Sequence, residues 1–319
     1  YRSGSVVKTN PLTYAADPDA LDDLAFARLE LLRHAETYNG QLAETARGFD
    51  HERVFTLCVG RGCTVDCAFC SGGRTGHQRL AGRQDVVFRR RGRVVEDLQR
   101  LTAQGVHTVA FCFDPPDAGE PYHLQLFEAI RARGLRLAAV FECFTPPSTP
   151  FLDAFAHTFD PHGSRLSFSP TVGDEALRTQ LLGQSYTNSA LERSLKECCD
   201  RGLPTALHFA PVPQESPEQL EASLEWQRQL RHSFGCRLIS APLEMEPESP
   251  WSRDPEHHGL SAVRQGLLAY VQRHLEVPTL GISYAREVGY RFEELDLRMV
   301  HVASALADPG AAYAEALVF

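Results

Sequence analysis

The sequence predicts an α/β fold, a partial (β/α)6 barrel with an N-terminal lead-in and a C-terminal helical extension. From Val54 onward, short apolar runs alternate with amphipathic stretches, a pattern typical of parallel strands joined by helical crossovers. Glycines follow the predicted helix ends at Gly105, Gly134 and Gly202. The chain has 319 residues and is 43% hydrophobic, which is enough to bury a large core.

The predicted elements follow one another along the middle of the chain. The strands are expected at Val54–Val59, Thr108–Phe113, Leu135–Phe141, Arg165–Phe168, Pro204–Phe209 and Arg237–Ser240. The helices are expected at Val94–Gln104, Leu124–Arg133, Phe151–Phe159, Ser189–Arg201 and Pro217–Phe234. Functional residues of such a barrel lie at the carboxyl ends of its strands, so the residues just after each strand are the place to search.

The chain divides into three predicted parts. Residues 1–50 form a lead-in that begins with a short hairpin over Tyr1–Pro11. Residues 51–245 form the barrel core, and residues 246–319 form the C-terminal extension. We also expect the chain to be a piece of a longer protein, because it begins at Tyr1 and not at methionine.

Composition narrows the class of protein. The net charge is −9, which argues against a nucleic-acid binder, and no run of about 18 apolar residues predicts a membrane span. Nine cysteines are an odd number in a large chain, so a secreted disulfide scaffold is disfavoured and a reducing cytoplasm is expected. The basic run Arg89–Arg93 is either a solvated turn before a helix or an anion-binding turn.

Three cysteines carry the sharpest signal. Cys63, Cys67 and Cys70 have C-x3-C-x2-C spacing directly after the first predicted strand. Three thiolates within eight residues can bind one cuboidal iron–sulfur cluster and leave one iron open for catalysis. Zinc sites favour a second matching pair, and a redox dithiol needs no third cysteine. The remaining alternative is three unrelated core cysteines.

This loop, after the first strand of an alternating chain, resembles that of the radical S-adenosylmethionine superfamily over about residues 54–240. The resemblance implies the barrel of that type, with a 4Fe–4S cluster on the three cysteines. It also implies that S-adenosylmethionine binds the open iron and is reductively cleaved to a 5′-deoxyadenosyl radical. That radical abstracts hydrogen from a small-molecule substrate, with electrons from a donor such as flavodoxin or ferredoxin. Phe69, just before the third cysteine, is then expected near the adenine.

Three further residues are candidate S-adenosylmethionine contacts by the same resemblance. Asp114 stands after the second strand, where the family's Gly-Gly-Glu-like turn is missing here, and either binds the amino group or fixes a turn. Ser169 follows the fourth strand and is expected to face the ribose or the carboxylate, and Ser167 is the second candidate for that contact. Arg178 either pairs with the carboxylate or is a surface arginine.

Other segments resemble the cobalamin-binding branch of the superfamily, which implies cobalamin and methyl transfer. These are 1–11 with 19–26, then 169–175 with 183–188, and 246–251 with 254–256 and Gly259 behind it, and the cobalamin domain itself is expected upstream of this chain. Cobalamin-independent rearrangement or oxidation, modification of RNA or a peptide, and a non-catalytic iron–sulfur or zinc protein stay open as alternatives. The substrate-facing candidates are Glu142, Glu244, Glu246, Trp251, His257, His258 and Tyr284.

Overall fold

The structure is a computed structural model. It describes residues 2–3, 6–7, 18–31, 33, 54–83, 85–111, 119–183, 186–262, 268–269, 290–291 and 295–306. Asp114 and Tyr284, both named above, lie outside these ranges.

A six-stranded parallel sheet organises the core. Its strands are β3 Val54–Leu57, β6 Thr108–Phe111, β7 Ala138–Cys143, β8 Arg165–Thr171, β9 Thr205–Phe209 and β10 Arg237–Ser240. Across the sheet they lie in the order β10-β9-β8-β7-β6-β3. Among the described residues β3 and β10 do not pair, so the sheet is an open, partial barrel. Three short antiparallel pairs join Arg2–Ser3 (β1) to Val6–Val7 (β2), Gly60–Arg61 (β4) to Val87–Phe88 (β5), and Ser261–Ala262 (β11) to Tyr290–Arg291 (β12).

Helices connect the strands of the sheet. They are α1 Pro18–Asp22, α2 Arg74–Ala81, α3 Arg91–Ala103, α4 Glu120–Ala132, α5 Thr149–Thr158, α6 Glu175–Leu182, α7 Asn188–Asp200, α8 Pro217–Phe234, α9 Pro250–Arg253 and α10 Leu295–Leu306. Thr187 caps α7, and Ser216 with Gln219 forms a capping box on α8. None of the helices in the described ranges is long and apolar enough to cross a membrane.

The described residues form three hydrophobic cores, and two of them position the sheet and the cysteine loop. The larger core packs one face of the sheet against the helices and includes Phe141, Phe168 and Leu207. A smaller core gathers residues from the end of β8, from α6 and from the segment after β10, including Val172, Leu181 and Trp251. This second core also contacts the cysteine loop, so burial of apolar surface holds that loop in place.

The predicted fold is confirmed, with shifts at element ends. Strand β7 begins at Ala138 and not at Leu135, and β8 continues to Thr171. The basic run is not a turn: Arg89 is buried, Arg90 is the residue before α3, and Arg91 opens that helix. The predicted N-terminal hairpin has its two strands, while the predicted bounds of the three parts stay a prediction.

Candidate functional site

The three cysteines lie on one loop that follows β3 and β4 at the carboxyl end of the sheet. All three are half-buried, and none forms a disulfide. Burial raises the pKa of Cys67 to about 12, and the neighbouring Cys70 and Cys63 add to the shift. The thiols therefore share one electrostatic neighbourhood, where a thiolate is costly without a compensating cation.

Helix α2 braces this cysteine loop from one side. The Asp66 carboxylate accepts hydrogen bonds from the Thr75 backbone N–H (2.7 Å) and from the Thr75 hydroxyl (2.9 Å). Because Thr75 lies in the first turn of α2, the carboxylate caps that helix and meets the positive end of its dipole. The Arg74 N–H also donates to the Val65 carbonyl at 2.9 Å, so the loop and the helix form one unit.

The end of α6 braces the loop from a second side. The Ala68 N–H donates to the Leu181 carbonyl at 2.7 Å. Gly183 has a φ of 63°, and a Cβ there would lie 2.9 Å from the Asp66 carbonyl oxygen. Only glycine adopts this positive φ without strain and also leaves room for the Asp66 carbonyl, so the backbone at the end of α6 can approach the loop closely.

The segment after β10 braces the loop from a third side. The Glu246 carboxylate accepts from the Ser71 backbone N–H (2.6 Å) and the Ser71 hydroxyl (2.8 Å). The backbone N–H of Trp251 donates to the Ala68 carbonyl at 2.9 Å, and the Trp251 ring meets Phe69 edge-on with centroids 5.9 Å apart. Phe69 is therefore held next to the cysteines by a fully buried tryptophan.

The inner face of the sheet is polar at the same end. Alternate residues of β7 and β8 enter the large core, which leaves Glu142 and Ser169 on the opposite face. The Ser169 hydroxyl donates to the Glu142 carboxylate at 2.8 Å. Burial lowers the pKa of His208 on β9, while Glu142 opposes that shift. Burial and then the charge of Arg237 lower the pKa of Arg165 to about 10.

Arg178 is fully buried and lies under the turn that ends β8. Its guanidinium donates to the carbonyls of Pro170 (3.1 Å) and Val172 (2.8 Å) and to the Asn188 side chain (2.6 Å). Between those two carbonyls Thr171 has a φ of 66°, a strained conformation for a β-branched residue. In this conformation the guanidinium supports the turn and is not exposed to a carboxylate ligand.

The sequence did not indicate the most extensive support of the loop. Ser71 and Glu246 are 175 residues apart, and no spacing rule connects them. The sequence places Glu246 among the substrate-facing candidates and in the segment 246–251, and it does not predict the contact with Ser71. The available signal was its place after the last strand, at the same end of the sheet as the cysteines.

The donor set fits an iron–sulfur cluster better than a single metal ion. Among the residues that the structure describes, no three Cys, His, Asp or Glu side chains converge where one ion would bind. A cuboidal cluster needs no such convergence, because each thiolate binds a different iron atom. Three free thiols on one braced loop meet that requirement.

Comparison with known proteins agrees with this geometry. A sequence model of the Radical SAM superfamily matches residues 57–226, which is more than half of the chain. The chain therefore belongs to the Radical SAM superfamily, whose cofactors are a 4Fe–4S cluster and S-adenosylmethionine.

Solved structures show the same fold. The radical S-adenosylmethionine methyltransferase TsrM from Kitasatospora setae, with cobalamin and a [4Fe-4S] cluster bound, is 18% identical with a TM-score of 0.55. The match covers 68% of this chain and 41% of TsrM, so the chain spans about two fifths of that protein. TsrM with tryptophan substrate and a SAM analog bound gives a TM-score of 0.54 at 18% identity, covering 68% of this chain and 42% of that one. A search of curated proteins finds no match.

Proposed function

We propose that Cys63, Cys67 and Cys70 hold the 4Fe–4S cluster of this enzyme. The observation that carries the proposal is the cysteine loop itself, which α2, α6 and the segment after β10 brace at the carboxyl end of the sheet. When bound, the cluster would supply the electron for cleavage of S-adenosylmethionine to methionine and a 5′-deoxyadenosyl radical, which would abstract hydrogen from the substrate. The chain contributes the position of the three ligands and excludes water behind them.

The proposed S-adenosylmethionine contacts lie around the loop. Phe69, fixed by Trp251, offers a ring edge to the adenine. Ser169, oriented by Glu142, offers its hydroxyl to the ribose or carboxylate. Asp114 stays a proposed partner for the amino group. For Arg178 we propose a positioning role, because its donors already bind the backbone of the turn after β8.

The substrate is proposed to be a small molecule bound against the inner face of the sheet. That face carries both signs of charge, which suits a polar substrate with ionised groups. The residues that contribute them are Glu142, Arg165, His208 and Arg237. The proposed partner is a protein electron donor such as flavodoxin or ferredoxin. The proposed compartment is the cytoplasm, because a reducing compartment keeps thiol ligands available.

Cobalamin-dependent methyl transfer is the second proposed step. It is favoured by the fold shared with TsrM, a methyltransferase solved with cobalamin. The sequence segments that resemble the cobalamin-binding branch support it as well. Hydrogen abstraction without cobalamin, leading to rearrangement or oxidation, is the competing proposal.

Anaerobic reconstitution tests the cluster and the reaction separately. Wild-type protein with iron, sulfide, S-adenosylmethionine and dithionite should release 5′-deoxyadenosine, while Cys67→Ala should release none. Cys199→Ala is the matched control, because that thiol is exposed on α7, and it should behave as wild type. S-adenosylhomocysteine formed only after hydroxocobalamin is added would support methyl transfer.

Two results would contradict the proposal. A wild-type protein that keeps stable iron but never turns over S-adenosylmethionine would be a non-catalytic iron–sulfur protein. Iron content equal in the wild type and Cys67→Ala would place the cluster ligands elsewhere.

A further inference from the structure

The carboxylates around the cysteine loop differ in what balances their charge. Asp66 lies 3.7 Å from the guanidinium of Arg74 and also caps α2, where the helix dipole presents its positive end. Glu248 pairs with Arg79 at the surface. For Glu246, by contrast, the part of the chain that the structure describes places no cation within ion-pair distance. Its negative charge therefore has no partner of opposite sign there.

Neutral donors hold Glu246 at the loop. Its carboxylate accepts from the Ser71 backbone N–H at 2.6 Å and from the Ser71 hydroxyl at 2.8 Å. These bonds keep the carboxylate next to Cys70 without cancelling its charge. Glu246, Ser71 and Cys70 are all half-buried, so water and salt screen this charge less than they screen a charge on the surface.

The charge of Glu246 acts on the cysteine sulfurs. Burial raises the pKa of Cys70 to about 12, and the charge of Glu246 is the next largest cause of that rise. Glu246 also adds to the rise at Cys67, after burial, the neighbouring thiols and Asp66. The Gly72 N–H donates to the Cys70 sulfur at 3.2 Å and opposes the shift at that thiol. Negative charge is therefore disfavoured at these sulfurs, in part because of Glu246.

The same repulsion applies to an iron–sulfur cluster bound at these sulfurs. A 4Fe–4S cluster gains one unit of negative charge when it accepts an electron, and net charge, hydrogen bonds to sulfur and solvent exposure set its reduction potential. A fixed carboxylate beside the ligands opposes the added negative charge by Coulomb repulsion. A cluster that accepts an electron less readily gives that electron up more readily, so it is the stronger reductant.

We propose that Glu246 lowers the reduction potential of the 4Fe–4S cluster through its negative charge next to Cys70. The inference rests on the proposed function, because it requires the cluster on the three cysteines. Glu246 then has two roles at the loop. Its hydrogen bonds to Ser71 support the loop, and its charge strengthens the cluster as the electron source for cleavage of S-adenosylmethionine. It acts through the cluster and its ligands, so it is a positioning residue and not a catalytic one.

A redox titration of the reconstituted protein without S-adenosylmethionine measures this effect in the absence of turnover. Dithionite, which is oxidised to sulfite, supplies one electron per cluster through mediators, and the electron paramagnetic resonance signal reports the reduced fraction. Glu246→Gln keeps the size and an acceptor but removes the charge. Its reduction equilibrium should be more favourable by about tenfold or more, an upward shift of at least about 59 mV. Glu246→Ala, the second variant, should shift the potential in the same direction.

Three further variants separate the charge from the support of the loop. Ser71→Ala removes one hydrogen bond of the same contact but keeps the carboxylate, so it should not make reduction more favourable by as much as about twofold. Glu248→Gln removes a charge that Arg79 already balances, and it should change the equilibrium by less than about twofold. Glu246→Asp keeps the charge on a shorter side chain, so its potential should lie closer to that of the wild type than to that of Glu246→Gln.

Two outcomes would overturn this inference and leave the proposed function intact. One is a cluster whose potential is the same in the wild type and Glu246→Gln. The other is an equal upward shift in Ser71→Ala or Glu248→Gln, because a looser loop or any nearby charge would then explain the result. A wild type that binds no cluster would overturn the proposed function as well, and iron analysis of the wild type and Cys67→Ala shows that result before the titration.

Discussion

The Glu246 side chain joins the segment after β10 to the cysteine loop, and replacing it with alanine removes these side-chain contacts while the backbone bond from the Trp251 N–H to the Ala68 carbonyl stays. Its carboxylate accepts two hydrogen bonds from Ser71, next to Cys70, at 2.6 and 2.8 Å. A hydrogen bond to a charged group contributes roughly 1.5–3 kcal/mol, and both residues are half-buried, so water recovers part of the loss. The expected cost of opening the loop is therefore about 2–4 kcal/mol lower in Glu246→Ala.

Hydrogen exchange at the Ser71 amide measures this change directly. A tenfold change in an opening equilibrium corresponds to about 1.4 kcal/mol, so exchange should be at least about 30-fold faster in Glu246→Ala. Iron should also leave the reconstituted variant faster when a chelator is added. Glu246→Gln keeps an acceptor without the charge, so the Ser71 exchange rate in this variant should lie between those of the wild type and Glu246→Ala.

Glu248 offers a matched control two residues away. It contacts Arg79 of α2 through an ion pair whose partners are both largely exposed, so Glu248→Ala should cost about 0–1 kcal/mol. Equal Ser71 exchange rates and equal iron-release rates in Glu246→Ala and Glu248→Ala would refute the reasoning, because the buried contact would then contribute no more than a surface pair.

The remaining predictions concern the cluster, the β8 turn and pH. Cys67→Ala should lose the cluster absorbance and iron after reconstitution, while Cys199→Ala retains both; equal iron contents would contradict this. Arg178→Gln leaves buried carbonyls without donors and should lower the free energy of unfolding in urea by about 3–5 kcal/mol, against about 0.5 kcal/mol for exposed Arg193→Gln. Burial lowers the pKa of His123 to about 4, so the unfolded chain binds the extra proton between about pH 6.5 and pH 4. Stability should thus fall by up to about 3 kcal/mol as pH drops through that window, and His123→Phe should show a smaller fall; identical pH profiles would contradict this.

The fold was predictable because each element carries its own local signal. Helix α8 is confirmed at both ends, since Ser216 and Pro217 mark its start and Gly235 its end. Strand β8 was harder to delimit. It continues through Pro170 to Thr171 because its register against β9 shifts after Phe168, and the alternation of side chains in the sequence does not predict that shift.

The site was predictable only where its residues are close in sequence. The three cysteines lie within eight residues, so their spacing is informative. Arg178 shows the limit: it looks like a ligand contact or a surface residue in the sequence, and its burial depends on where the turn after β8 lies. Contacts between distant segments are decided by packing, and the sequence does not state them.

The separation of Ser71 and Glu246 along the chain also sets the order in which the two sides of their contact are synthesised. A chain synthesised at about 5–20 residues per second adds the 175 residues between them in roughly 9–35 s. Throughout that interval all three cysteines have been synthesised, but the segment after β10, one of their three supports, has not. We therefore expect the proposed cluster to gain its full support only after the segment after β10 has folded, and until then the thiols stay unoxidised only in a reducing environment.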